Sequence, residues 1–286
     1  MNIAVFADVH GRILLAFKLC ARWQKETGEQ IDLILQAGDL GTFPVEARMD
    51  KATRSYIERD PTERGFLDHF TTPQPEVKAA LNQTKCNLVY VRGNHEDHSW
   101  LDNLENRTSA PTFPVDPYQR VYCLKTGVPY TFQSGDESIH ILGIGRIGAP
   151  AFSKKDKESN IQPHERKRLD RLGDIRVDIL LTHDADRHQV FEGAGIEEIG
   201  LMIALHQPRY HFFGHYNGPL LHTTDANGVT QVYKLADLAW DRRDRGLALE
   251  PGSMGILRWK SRKEHSFEVV DAPWYRQYTA ATWKYL

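Results

Sequence analysis

Seven side chains in this sequence carry groups that can hold a cation and polarise an anion: Asp8, His10, Asp39, Asn94, His95, His183 and His215. Each stands at or just past the end of a short apolar run. Charged groups in such places are rarely buried unless they are paired or bind a metal. None of the seven is a thiolate, which suits Mn²⁺, Fe, Zn²⁺ or Mg²⁺ better than Cu(I) or an iron–sulfur cluster. Asp39 follows a glycine in AGDLG, and its two carboxylate oxygens can bridge two cations. Two cations about 3.5–4 Å apart can clamp a phosphoryl group and activate a water between them. Gly11, Gly38, Gly93 and Gly214 stand beside these residues and permit close backbone approach.

The elements that must position them are five runs with the β-branched and aromatic content of core strands: NIAVFADVHG, IDLILQAGDLG, NLVYVRGNHE, VDILLTHDAD and RYHFFGHYNG. Helical spacing is predicted over 14–26, 76–83, 164–172 and 196–206. Strands alternating with helices imply βαβ units and an α/β (α+β) fold. The rest is richer in strand, with candidates at 121–124, 130–133, 139–144, 219–223, 230–235 and 254–259. DANG, residues 225–228, reads as a hairpin turn. Two polar stretches, about 42–75 and 97–120, follow strand ends that bear candidate site residues. They are expected to frame a substrate cleft, as insertions in a single domain spanning 1–286. The aromatic tail DAPWYRQYTAATWKYL is expected to pack back on the body.

Composition excludes several other classes. Apolar residues make up 41% and charged residues 26%, and the net charge of −2 gives no bulk field toward nucleic acid or membrane. The three cysteines, Cys20, Cys86 and Cys123, are widely spaced, which fits reduced thiols rather than a disulfide framework. No apolar stretch is long enough to span a bilayer and no leader pattern opens the chain, so a cytoplasmic location is expected.

Five blocks in order, DVHG from Asp8, GDLG from Gly38, GNHE from Gly93, THD from Thr182 and GHYN from Gly214, resemble the calcineurin-like metallophosphoesterases. The resemblance implies a sandwich of two mixed β-sheets flanked by helices and two divalent ions. Mn²⁺ is the first choice, with Fe, Zn²⁺, Mg²⁺ or Ni²⁺ as alternatives. It implies a first ion on Asp8, His10 and Asp39, and a second on Asp39, Asn94, His183 and His215, with Asp39 bridging. His95 would bind or protonate the substrate beside Asn94 rather than ligate metal. The reaction implied is hydrolysis of a phosphomonoester or phosphodiester by metal-bound hydroxide. The substrate could be a small molecule, a nucleotide, a nucleic acid or a phosphoprotein.

One position departs from the pattern. The family's last block normally ends in a histidine that completes the first ion site, and here Asn217 stands there. Direct ligation by Asn217, an approach by His222, and a loosely held first ion are the three readings. The first is adopted, with weaker occupancy than at the second ion. A different class also fits this departure, a catalytically weak or inactive scaffold of the same fold, although six of the seven usual ligands remain. Other polar clusters carry less. HEDH, from His95, lacks the spacing of a helical zinc motif. His98 is expected at the surface or beside the site. HERKRLDR reads as a solvated helix face with ion pairs, and WDRRDRG as a mixed-charge surface loop.

Overall fold

The computed structural model describes residues 1–149, 157–187, 189–240 and 247–286. The apolar runs are strands because both of their faces are covered. In β1 (Asn2–Phe6), Ile3 and Val5 point to one side while Ala4 and Phe6 point to the other, and all four are fully buried. The same alternation buries both faces of β2 (Leu33–Gln36) and of β3 (Asn87–Tyr90), where Asn87 at the strand's start is exposed. These three and β5 (Val121–Leu124) form a parallel core. The antiparallel strand β4 (Thr112–Pro114) edges it on one side, and β12 (Gly255–Ser261) and β13 (Glu264–Val269) on the other. The order is β13-β12-β1-β2-β3-β5-β4.

The second sheet repeats this design. Its parallel strands are β7 (Glu137–Ile144), β8 (Ile179–Thr182), β9 (Tyr210–Phe213) and β11 (Gln231–Lys234), with β6 (Tyr130–Ser134) and β10 (Leu221–Thr224) as antiparallel edges. The order is β10-β11-β9-β8-β7-β6. Between the sheets lies one apolar layer that joins Val5, Leu35 and Val89 to Ile141, Ile179 and Phe212. Fully burying one such side chain contributes roughly 1.5–3 kcal/mol.

Helices cover both outer faces. On the first sheet, α1 (Ile13–Thr27) buries Ile13, Ala16, Phe17, Cys20 and Trp23, a stripe at helical spacing, and ends at Gly28 in a left-handed cap. The helices α3 (Gly65–His69) and α4 (Pro75–Leu81) share that layer, as does the tail, which buries Trp274, Tyr275, Tyr278 and Trp283 as expected. On the second sheet, α6 (Pro163–Leu169) and α7 (Glu197–His206) pack on Leu142, Ile144 and Leu180. The fold is the expected sandwich of two mixed sheets flanked by helices.

Several expectations are corrected. The stretch at 42–75 holds α2 (Lys51–Ile57) and α3 as well as 3₁₀ turns at Glu46–Arg48 and Pro61–Arg64. The stretch at 97–120 contains α5 (His98–Glu105) and supplies β4 to the first sheet. Periodicity missed β4 because it is three residues long. It missed β13 because that edge strand buries little. His98 is buried in α5 rather than at the surface; burial and the charges of Arg146 and Arg92 hold its imidazole down at about 3. In HERKRLDR the ion pairs reach other elements, Arg166 to Glu198 and Arg168 to Glu105, and Glu165 is buried against Arg146. Residues 241–246 of WDRRDRG lie outside the described residues. The three cysteines are unpaired, as expected, and all three are buried.

Candidate metal centre

All the parallel strands of both sheets point their carboxyl ends at one edge, where α/β folds place their clefts. The loops leaving β1, β2, β3, β8 and β9 meet there through their own backbones. The Asp8 amide donates to Gly38 O (3.1 Å), His10 to Asp39 O (2.8 Å) and Gly214 to His183 O (3.2 Å). The side chains join the same seam. The His215 amide donates to both Asp8 carboxylate oxygens (3.1 and 3.0 Å), and the His95 amide donates to Asp39 Oδ1 (2.7 Å).

Two groups of donor atoms result. Asp8, His10 and Asp39 lie within 4.8 Å of one another, as do Asp39, His183 and His215. Asp39 belongs to both. Asn94 Oδ1 is 3.1 Å from His183 Nε2, and His183 Nδ1 is 2.9 Å from Ala37 O. A donor bond from Nδ1 to that carbonyl leaves Nε2 as the free ligand atom.

The electrostatics suit cations. Burial, aided by neighbouring histidines, drives His10 and His215 down to about 4, so both imidazoles are neutral and able to ligate. Burial pushes the Asp8 carboxyl up. For Asp39 the charge and hydrogen bond of His183 outweigh burial and hold its carboxyl well below the usual range. For His183 burial likewise loses to Asp39, 3.4 Å away, and its pKa rises to about 10. That rise reflects the negative charge of Asp39 beside the ring, a charge that a cation at Nε2 would balance in place of a proton. Two clusters of hard oxygen and neutral imidazole donors sharing one carboxylate fit a pair of divalent ions.

The backbone is not what a simple strand edge predicts. β1 ends at Phe6, so Asp8 and His10 do not project from a strand face. They stand in a loop with left-handed φ of 46° and 44°; Asp39 and His215 are also left-handed, at 54° and 66°. Such conformations cost of order 1–3 kcal/mol each and cluster at functional sites. The glycines answer crowding. A Cβ on Gly93 would strike the Asp39 carboxylate, and one on Gly214 would strike that of Asp8.

Beside the clusters opens a cleft of about 840 Å³. Asp8, His10, Asp39, Asn94, His95, His215 and Asn217 all line it, while the fully buried His183 lies behind them. The stretch at 42–75 contributes Tyr56 and the segment 59–63 to its wall, as expected, and the stretch at 97–120 contributes none of the described lining residues. The tail contributes Trp283 and Lys284. Asn217 is exposed, and its loop is pinned by Lys234 Nζ, which donates to the carbonyls of Tyr216 (2.9 Å) and Gly218 (2.6 Å). His222 faces elsewhere. Its Nε2 is 2.9 Å from Gln231 Oε1 and its ring stacks on Tyr233, so the reading in which it approaches the first ion falls.

Three residues escaped sequence reasoning. Asp50 caps α2 through the amides of Ala52 and Thr53, and its Oδ2 is also 2.9 Å from His95 Nδ1. Burial lowers the pKa of His95, but this bond and the charges of Asp39 and Asp50 prevail and raise it to about 9. The capping pattern DKAT could have flagged the helix, but not its partner. Glu96 is buried and accepts from the amides of Leu40 (2.9 Å) and Thr42 (2.7 Å), bracing the loop that carries Asp39. Arg12, buried at the cleft wall, pairs with Asp60 (2.6 Å).

Among solved structures, the Thermus thermophilus protein TT1561 is 17% identical, with a TM-score of 0.49 over 94% of this chain and 98% of that one. Another, 13% identical, has a TM-score of 0.50 over the same shares. A 5'-nucleotidase from Candida albicans is 12% identical, with a TM-score of 0.44 over 98% of this chain and 53% of that one. At 13% identity, the structure with the TM-score of 0.50 shows a likeness of fold alone. No curated protein matches the chain. Among described residues no helix is long and apolar enough to cross a membrane. The sequence model of the calcineurin-like phosphoesterases matches residues 1–219. With that match across the strand ends that build the cleft, the chain belongs to the calcineurin-like phosphoesterases, a metal-dependent family.

Proposed function

We propose that the protein hydrolyses a phosphomonoester or phosphodiester at a centre of two divalent ions. The observation that carries this reading is the sharing of Asp39 by two donor clusters at the floor of one cleft. Asp8, His10 and Asp39, joined by Asn217, would hold one ion; Asp39, Asn94, His183 and His215 would hold the other. Ions so held supply Lewis acidity toward the phosphoryl group and an acidified water. Asp39 spaces the two sites, and Ala37 O fixes the ring of His183. His95 lines the cleft as an imidazolium, placed to bind a phosphate oxygen or to protonate the leaving oxygen. A single domain over 1–286 is part of the proposal, as are a cytoplasmic location and Mn²⁺ as the first choice of metal.

The test is hydrolysis by chelator-stripped protein of an aryl phosphate monoester and a bis-aryl phosphodiester. Each is assayed with Mn²⁺, Mg²⁺, Zn²⁺, Ni²⁺ or no metal. Turnover that appears only with added metal is expected, and the better ester identifies the substrate class. No turnover with any ion would favour the scaffold reading.

Asp50 gives a sharper prediction. Asp50→Asn keeps a capping oxygen for α2 but removes the charge behind His95. A drop in kcat of about tenfold to a hundredfold is expected, with KM and metal content little changed. Without that carboxylate the imidazolium loses its proton more readily, so the alkaline limb of the rate–pH profile moves to lower pH. An unchanged profile would remove Asp50 from this role.

A further inference from the structure

We propose that Asp237 supplies a carboxylate to the first ion site, offsetting the loss of the family's usual histidine at Asn217. This rests on the two-ion reading above. Asp237 follows β11 and forms a parallel bridge with Ala7, the residue before Asp8. The next amide, Leu238, donates to Ala7 O (3.3 Å) and Asp8 O (3.2 Å). A backbone seam thus fastens Asp237 beside the first candidate ligand, and it lines the cleft together with Asp8, His10 and Asp39.

Its Oδ1 is buried and has no hydrogen-bond partner. A carboxylate oxygen left in that state is costly unless a cation meets it. Among the described residues, the lysine and the arginine whose charges reach Asp237, Lys234 and Arg12, make their bonds elsewhere. Lys234 Nζ donates to the carbonyls of Tyr216 and Gly218, and Arg12 pairs with Asp60 (2.6 Å) and Glu63 (3.5 Å). Asp237 is in electrostatic repulsion with both Asp8 and Asp39. A hard divalent ion relieves that repulsion and satisfies Oδ1 at once. Asn217 offers a neutral amide in place of imidazole, so the first site is one strong ligand short.

The test is Mn²⁺ binding by stripped protein without substrate, counted by the loss of the free-ion EPR signal. The wild type is expected to take two ions. Asp237→Asn should hold one at wild-type affinity and the other about tenfold or more weakly. Added to His10→Ala, it should cause no further loss of ions; added to His215→Ala, it should leave no tightly held ion. Circular dichroism of the metal-free variants checks the fold, and Asp237→Ala provides a second variant read in the same way. Two ions bound with wild-type affinity in Asp237→Asn, or an equal loss of both, would overturn the proposal. A wild type that takes fewer than two ions sinks the two-ion reading and this inference with it. Two ions without ester hydrolysis would sink the proposed activity and leave Asp237 in place.

Discussion

Asp39→Asn is expected to lower turnover at least ~10³-fold and to leave one bound ion or none. Asparagine is the discriminating replacement here. It tolerates the left-handed backbone at this position, φ 54°, whereas alanine adds a conformational cost. Its amide also keeps an oxygen for the His95 amide, which donates to Asp39 Oδ1 at 2.7 Å. What disappears is the charge common to both donor clusters. Metal analysis after dialysis and steady-state kinetics on the same sample check the result. Retention of both ions with turnover within about tenfold of wild type would mean that Asp39 is not the shared ligand.

His95→Ala should separate catalysis from metal binding. A loss in kcat of about 10²- to 10⁴-fold is expected, with metal content unchanged. The physical reason lies in which part of His95 touches the centre. Its backbone amide holds the Asp39 carboxylate, and alanine keeps that amide. Its ring turns the other way, to Asp50, and lies 5.6 Å from the ring of His10. Asp50 retains Thr53 Oγ1 (2.8 Å) and the α2 amides when the ring is removed. If the ions left with the imidazole, His95 would be a ligand and the division of roles would be wrong.

The candidate centre was legible in the sequence because its donors cluster at strand ends in short blocks. Each block pairs a buried run with a glycine and a polar group, and both signals are local. Asp8, His10, Asp39, Asn94, His95, His183 and His215 follow from that pattern, and the structure brings all seven to one edge. Asp50 was not legible. Its capping function is local to α2, but its partner lies 45 residues away on another loop. His222, the alternative to Asn217, stands five residues past it, and only the β10–β11 register, which turns its ring onto Tyr233, removes that alternative. For His98 the sequence left surface and a place beside the site open, and only the packing of α5 removes the surface.

By itself the sequence determined the strand-forming runs, the α1 stripe, the order of the site blocks and the absence of a disulfide framework among the three cysteines. These depend on periodicity, residue type and spacing along the chain. Only the tertiary structure decided that Asp8, His10, Asp39 and His215 take left-handed backbones, that of the two polar stretches 42–75 and not the described part of 97–120 walls the cleft, and that Asp237 lies against β1. Those features arise where loops distant in sequence meet. Their conformations are set by backbone bonds between loops and by the space that Gly38, Gly93 and Gly214 leave open.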